Sequence, residues 1–66
     1  MTARIWTTTQ LNQVIGLTAG SPELYKTITT KESRKVINIE TKVEVLAALK
    51  HPSGKWLVRY DERTFA

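Results

Sequence analysis

The side chains here that are suited to chemistry are cations and hydroxyls. Their densest cluster is "KTITTKESRK" (26–35), where Lys26, Lys31, Arg34 and Lys35 stand against the single acid Glu32. Ammonium and guanidinium groups interleaved with threonine and serine hydroxyls can donate to phosphate oxygens, so this stretch suits a polyanion. Residues for covalent chemistry are scarce. The chain has one histidine, His51, no cysteine, and no Gly-rich phosphate loop ending in Lys-Ser/Thr. Asp61 and Glu62 are neighbours at a strand end and point to opposite sides. No nucleophile, base and orienting group can be assembled from spacing, so the expectation is a protein that is not an enzyme. His51, next to Pro52, reads as a solvated turn residue. With no thiolate and one imidazole, no metal site and no cofactor is expected.

These residues must be held by a small frame. Sixty-six residues make one domain, and a chain of this length buries only about 60% of its unfolded surface. A disulfide staple is excluded, which leaves a compact core, extended by self-association as a homodimer or by docking on a ligand. The apolar fraction of 41% is sufficient, and two Trp, two Tyr and one Phe supply bulk. Charge is uneven: residues 1–25 hold only Arg4 and Glu23, while 26–66 hold nine Lys/Arg against five Asp/Glu, for +4 overall. A pI near 9.8 is the electrostatic half of a nucleic-acid signature. There is no run of about 18 apolar residues to span a membrane. No basic, then apolar leader opens the chain, so a soluble cytoplasmic protein is expected.

"ARIWT" (3–7) reads as a brief strand or extended arm. Thr7 and Gln10 then have the spacing of a capping box. Leu11, Val14 and Ile15 share one helical face, and Gly16 is a residue type that closes helices, which predicts a first helix over about 8–15. In "SPEL", Ser21 is a favoured N-cap, Pro22 suits the first helical position and Glu23 complements the helix dipole. A second helix is predicted from Pro22 to about Thr30, kept short by the β-branched Thr27, Ile28 and Thr29. "SRKVINI" (33–39) suits a strand. "IETKVEVLAALK" (39–50) satisfies two periods at once: Val43, Val45, Ala47 and Leu49 alternate, while Ile39, Val43, Leu46 and Ala47 are helically spaced. Its good helix formers favour a helix over 40–50. "HPSG" is a turn, and "KWLVRYD" (55–61) a strand with Trp56, Val58 and Tyr60 on one side. The tail "ERTFA" is expected to fray unless Phe65 docks.

Two helices around a corner suggest a helix-turn-helix, in which Leu11 and Ile15 brace, Gly16 turns, Leu17 plugs the corner, and Leu24 and Ile28 seat the second helix. Ser21, Glu23, Tyr25, Lys26, Thr29 and Thr30 then project outward. The connection from Leu17 to Leu24 is longer than the usual three or four residues. The whole, "WTTTQLNQVIGLT…SPELYKTI…SRKVI…ETKVEVLAAL" (about 6–49), resembles the small winged-helix proteins of the excisionase and MerR type. That resemblance implies an α+β fold: a small winged helix-turn-helix of two or three short helices with a C-terminal β-strand or hairpin. It further implies a sequence-specific double-stranded DNA-binding protein, such as a small phage- or plasmid-type transcriptional regulator or recombination accessory factor. "SPELYKTI" would be the recognition helix and "KESRKVINI" the wing, although "KHPSGKWLVRY" is a second candidate for the wing. The DNA-binding residues so expected are Ser21, Tyr25, Lys26, Thr29, Thr30, Lys31, Arg34 and Lys35.

Two other readings remain open. One is a small protein-interaction module or inhibitor whose basic face meets an acidic partner. The other makes residues 33–60 a three-stranded meander within a small basic β-barrel that binds single-stranded nucleic acid. Trp6 and Trp56 are expected in the core, with stacking on bases as the alternative.

Overall fold

The computed structural model describes residues 2–65, without the side chain of Phe65, so the docking expected of that side chain lies outside the described residues. The elements run β1 (Thr2–Trp6), α1 (Thr8–Ala19), β2 (Tyr25–Thr29), β3 (Ser33–Asn38), β4 (Glu44–Lys50), β5 (Trp56–Tyr60) and a short α2 (Glu62–Phe65). The strands form one antiparallel sheet in the order β1-β5-β4-β3-β2. β2 to β5 are a meander of hairpins, and β1 closes onto β5 from the far end of the chain. Among the described residues there is no helix-turn-helix: one long helix packs on a sheet, and the expected winged-helix architecture is corrected accordingly.

α1 begins where the sequence indicates. Gln10 N–H donates to Thr7 Oγ1 (3.2 Å) and Thr7 N–H to Gln10 Oε1 (2.9 Å), a complete capping box one residue after β1. The expected stop at Gly16 does not occur. Gly16 is on the solvent side, and the inward spacing continues from Leu11, Val14 and Ile15 to Thr18. The helix ends at Gly20, ahead of Ser21, whose helical conformation is disfavoured by the following Pro22. Twelve residues span about 18 Å, close to the roughly 19 Å across five strands. With the turn at 21–24, that length carries the chain from one sheet edge, β1, to the other, β2.

The second helix expected over 22–30 is a turn followed by a strand. Ser21 offers its carbonyl to Leu24 N–H (3.0 Å) and Tyr25 N–H (3.1 Å), so the Ser-Pro-Glu signal starts one turn. That turn does not propagate because Tyr-Lys-Thr-Ile-Thr combines an aromatic with β-branched residues, which favour the pleated surface. Tyr25 to Thr29 pair with Asn38 to Arg34 instead.

The helix favoured over 40–50 is likewise a strand, β4, at the centre of the sheet. Val36 faces Leu46, but the next partner of Ile37 is Glu44, so one residue is extra on β4. At such a bulge the alternation slips, and the neighbours Val45 and Leu46 both enter the core. Beyond it, Leu46 and Ala48 face α1, whereas Ala47 and Leu49 face away. Apolar residues of both parities made this stretch look helical.

The core lies between α1 and one sheet face. Leu11, Val36, Leu46 and Val58 are fully buried, joined by Val45, Ala48 and Trp56, with Trp6, Val14, Ile15, Tyr25 and Tyr60 around them. Trp56 ties helix to sheet, its Nε1–H donating to Thr8 Oγ1 (3.2 Å) in the first turn of α1. Trp6 and Tyr60 stack at a tilt, 5.2 Å between centroids. The β4–β5 turn is the expected one. Ser53 N–H donates to His51 Nδ1 (3.1 Å), and Gly54 takes a φ of 88° that suits glycine.

Candidate functional site on the open sheet face

α1 covers one face of the sheet; the opposite face is uncovered by any described residue. Directly opposed residues of antiparallel strands share a face, so the register specifies what the open face carries. One row runs Ala3, Arg59, Ala47, Lys35, Ile28 across all five strands. The adjacent row runs Ile5, Leu57, Leu49, Ser33. Lys26 and Glu44 flank Ile37 in a third.

The apolar members of these rows are in contact with water. Leu49 is 59% exposed, Ile5 52%, Leu57 42% and Ile28 38%. Single exposed aliphatics are ordinary, but neighbours in register on a rigid sheet make a patch, and patches of this kind mark interaction sites. Lys35, Ala47, Leu49, Leu57 and Arg59 line a shallow depression of about 350 Å³. In register, Ala47 stands between the two cations, and Leu49 and Leu57 are paired in the next row. Lys35 reaches Glu44 only at 4.0 Å, with both side chains substantially exposed, so it is weakly held. The Arg59 side chain makes no hydrogen bond or ion pair with any described residue.

The eight residues expected to contact DNA do not form one surface. Ser21 lies in the turn before β2 and caps no helix. Tyr25 is on the helix face, packed against the core. Thr29 is also on that face, opposite Arg34. Arg34 is committed internally: its guanidinium carbon is 4.8 Å from the Trp56 ring centroid, and Nη1 donates to the carbonyls of Thr30 and Ser33. Thr30 Oγ1 contacts Ser33 Oγ (2.5 Å) within the β2–β3 turn, next to the exposed Lys31. Lys26 and Lys35 alone reach the open face.

The residues missed by sequence reasoning are Ile5, Ala47, Leu49, Leu57 and Arg59. A signal was present in "EVLAAL" and "WLVRY", where apolar residues stand at both parities of a strand. That is the pattern of a strand covered on two sides.

The aromatic residues are placed the other way. Trp6, Tyr25, Trp56 and Tyr60 are all on the helix face, and the open face has no described aromatic ring. No group of three or more metal-ligating side chains occurs among the described residues, and no described helix is long and apolar enough to cross a membrane. At the start of α2, Asp61 Oδ1 accepts from Arg63 N–H (2.9 Å), which with the nearby guanidinium holds the Asp61 carboxyl below its ordinary value. Comparison with protein-family models, with curated proteins and with solved structures gives no match.

Proposed function

We propose that this chain is a small protein-interaction module that docks a partner polypeptide on its open sheet face. The observation that carries this reading is the central strand β4, apolar on both sides but covered by α1 on only one. A sheet face of that composition is satisfied by a second layer. Among the described residues, Lys26, Lys35 and Arg59 stand on it against the single carboxylate of Glu44, so an acidic partner fits. The same balance opposes pairing of two copies face to face, which would set cations against cations.

Nucleic acid fits the face less well. Without the helix-turn-helix, duplex recognition loses its reading element. Single-strand binding relies on rings that stack on bases, and the rings here are turned toward α1.

Selection of displayed peptides on the immobilised chain tests the proposal. Peptides that combine aliphatic and acidic residues should be enriched. Their affinity should fall at least about tenfold on Leu49→Asp, as expected when a central anchor is lost. Leu17→Asp serves as control, because Leu17 is 76% exposed on the outer side of α1. Peptides indifferent to Leu49→Asp, or an oligothymidylate that binds in a Leu49-dependent way, would refute it.

A further inference from the structure

Resting on the reading of the open face as a protein-docking surface, we infer that the occupant is an amphipathic α-helix with acidic flanks. It belongs to another polypeptide and lies along β4, making the sheet the middle layer of a helix–sheet–helix sandwich.

The first argument is dimensional. Lys35 and Arg59 are the register partners of Ala47 on its two sides, one strand away in each direction. Two strand spacings separate their backbones by about 10 Å. An α-helix with its side chains is about 10–12 Å across, so a helix centred over β4 has one cation along each flank. Ala47 offers a methyl group where a larger side chain would hold the helix away. Leu49 continues the seat along β4, and its register partner Leu57 widens it on the β5 side, which gives the apolar stripe something to cover.

The second argument concerns the partner's backbone. An extended segment laid on a sheet face, rather than along an edge, leaves its N–H and C=O groups over apolar side chains with nothing to bond. Buried backbone polar groups are almost always paired. A helix satisfies its own and can occupy an apolar seat without penalty.

The third argument is charge. The free Arg59 and weakly held Lys35 call for carboxylates on both flanks of the stripe. A second copy of this chain cannot supply them from its long helix, because TTQLNQVIGLTA contains no charged residue.

The test uses two displayed libraries on the full chain. One encodes helices of about four turns with a fixed apolar stripe and flanks randomised between Glu and Lys. The other encodes extended segments with alternating apolar residues and the same randomised charges. Each is selected on the wild type and on Lys35→Glu/Arg59→Glu, two exposed changes whose retained fold is checked by thermal melting. The helical library should dominate, with Glu on both flanks for the wild type and Lys on both for the reversed variant. Exchanging the variants should cost each selected peptide at least about tenfold in affinity.

Helical binders with unbiased flanks, flanks unchanged by the reversal, or no helical binders at all overturn the inference. Extended binders that need Leu49 overturn the helix and leave the docking face standing. If every binder ignores Leu49→Asp, the docking face itself fails. A wild-type chain that sediments as a dimer, and as a monomer on Leu49→Asp, would make a second copy the occupant and overturn both.

Discussion

Gly16→Ala separates the two structures that this sequence suggests. If Gly16 closed the first helix, it would occupy the left-handed region, where a side chain costs about 1–2 kcal/mol. In the structure it is inside α1, and a methyl group there would have no neighbouring atom within 4 Å. The substitution then gains the difference in helix propensity, about 0.8–1.0 kcal/mol, with no packing penalty. For a domain of this size 1 kcal/mol moves the midpoint by about 4–8 °C. Circular-dichroism melts and urea titrations of the wild type and variant measure the change directly. The companion Gly54→Ala has the opposite sign. The site is equally open, but φ is 88°. Left-handed strain of about 1–2 kcal/mol outweighs the roughly 0.4–1 kcal/mol gained by stiffening the unfolded chain. A rise for Gly16→Ala and a fall for Gly54→Ala are the expected pair. A fall for Gly16→Ala would refute a helix running through to Ala19, and with it the length match that places β2 at the far edge of the sheet.

The two faces of β4 predict opposite sensitivities. Leu46→Ala empties a fully buried site and should cost about 2–5 kcal/mol; Leu49→Ala on the open face should stay within about 0.5 kcal/mol, both read by urea titration. Thr7→Ala removes the acceptor of the capping box and should cost about 0.5–2 kcal/mol in the same titration. The carboxyl of Asp61 is held below its ordinary value, chiefly by the Arg63 backbone N–H. Its contribution to stability is therefore present above the unfolded value and is lost as pH falls through the lower folded one. Asp61→Asn should melt below the wild type at neutral pH and converge with it in strong acid; a gap that widens on acidification would contradict that sign.

What was legible in the sequence was local. The capping box at Thr7 and Gln10 needs only three residues of separation, and the His51–Gly54 turn needs the same. β5 alternates cleanly on its inner side through Trp56, Val58 and Tyr60, and β3 shows its β-branched run. Two elements failed for different reasons. At Ser21 to Thr30 a strong local start signal was outweighed by the strand preference of the residues that follow. At β4 the bulge slips the alternation near the start of the strand, and both faces carry apolar residues, so helical and extended spacing coincide. The open face was hardest to foresee, because belonging to it depends on register between distant positions. Ile5 meets Leu57 only once α1 has crossed the sheet and the β2–β5 meander has returned to the edge formed by β1. Lys26 and Lys35 could be picked out by their charge, but nothing near Arg59 in sequence links it to Lys35. Only Ala47, which pairs with both, does so.

The cations of the open face have a role even before any partner arrives. An apolar sheet face on a small chain invites pairing with its own kind, and proteins counter this by placing charges among the apolar residues. Lys35 and Arg59 can lay their aliphatic stems toward Ala47 while their charged ends stay in water, and two such faces brought together would oppose like charges at short range. The same ends attract a partner that carries carboxylates. On the proposed docking reading, opposition to self-pairing and choice of an acidic occupant therefore rest on one pair of side chains. Aliphatic residues in their place would strengthen the proposed seat but remove what distinguishes an acidic helix from a second copy, so the proposed docking favours discrimination over tightness.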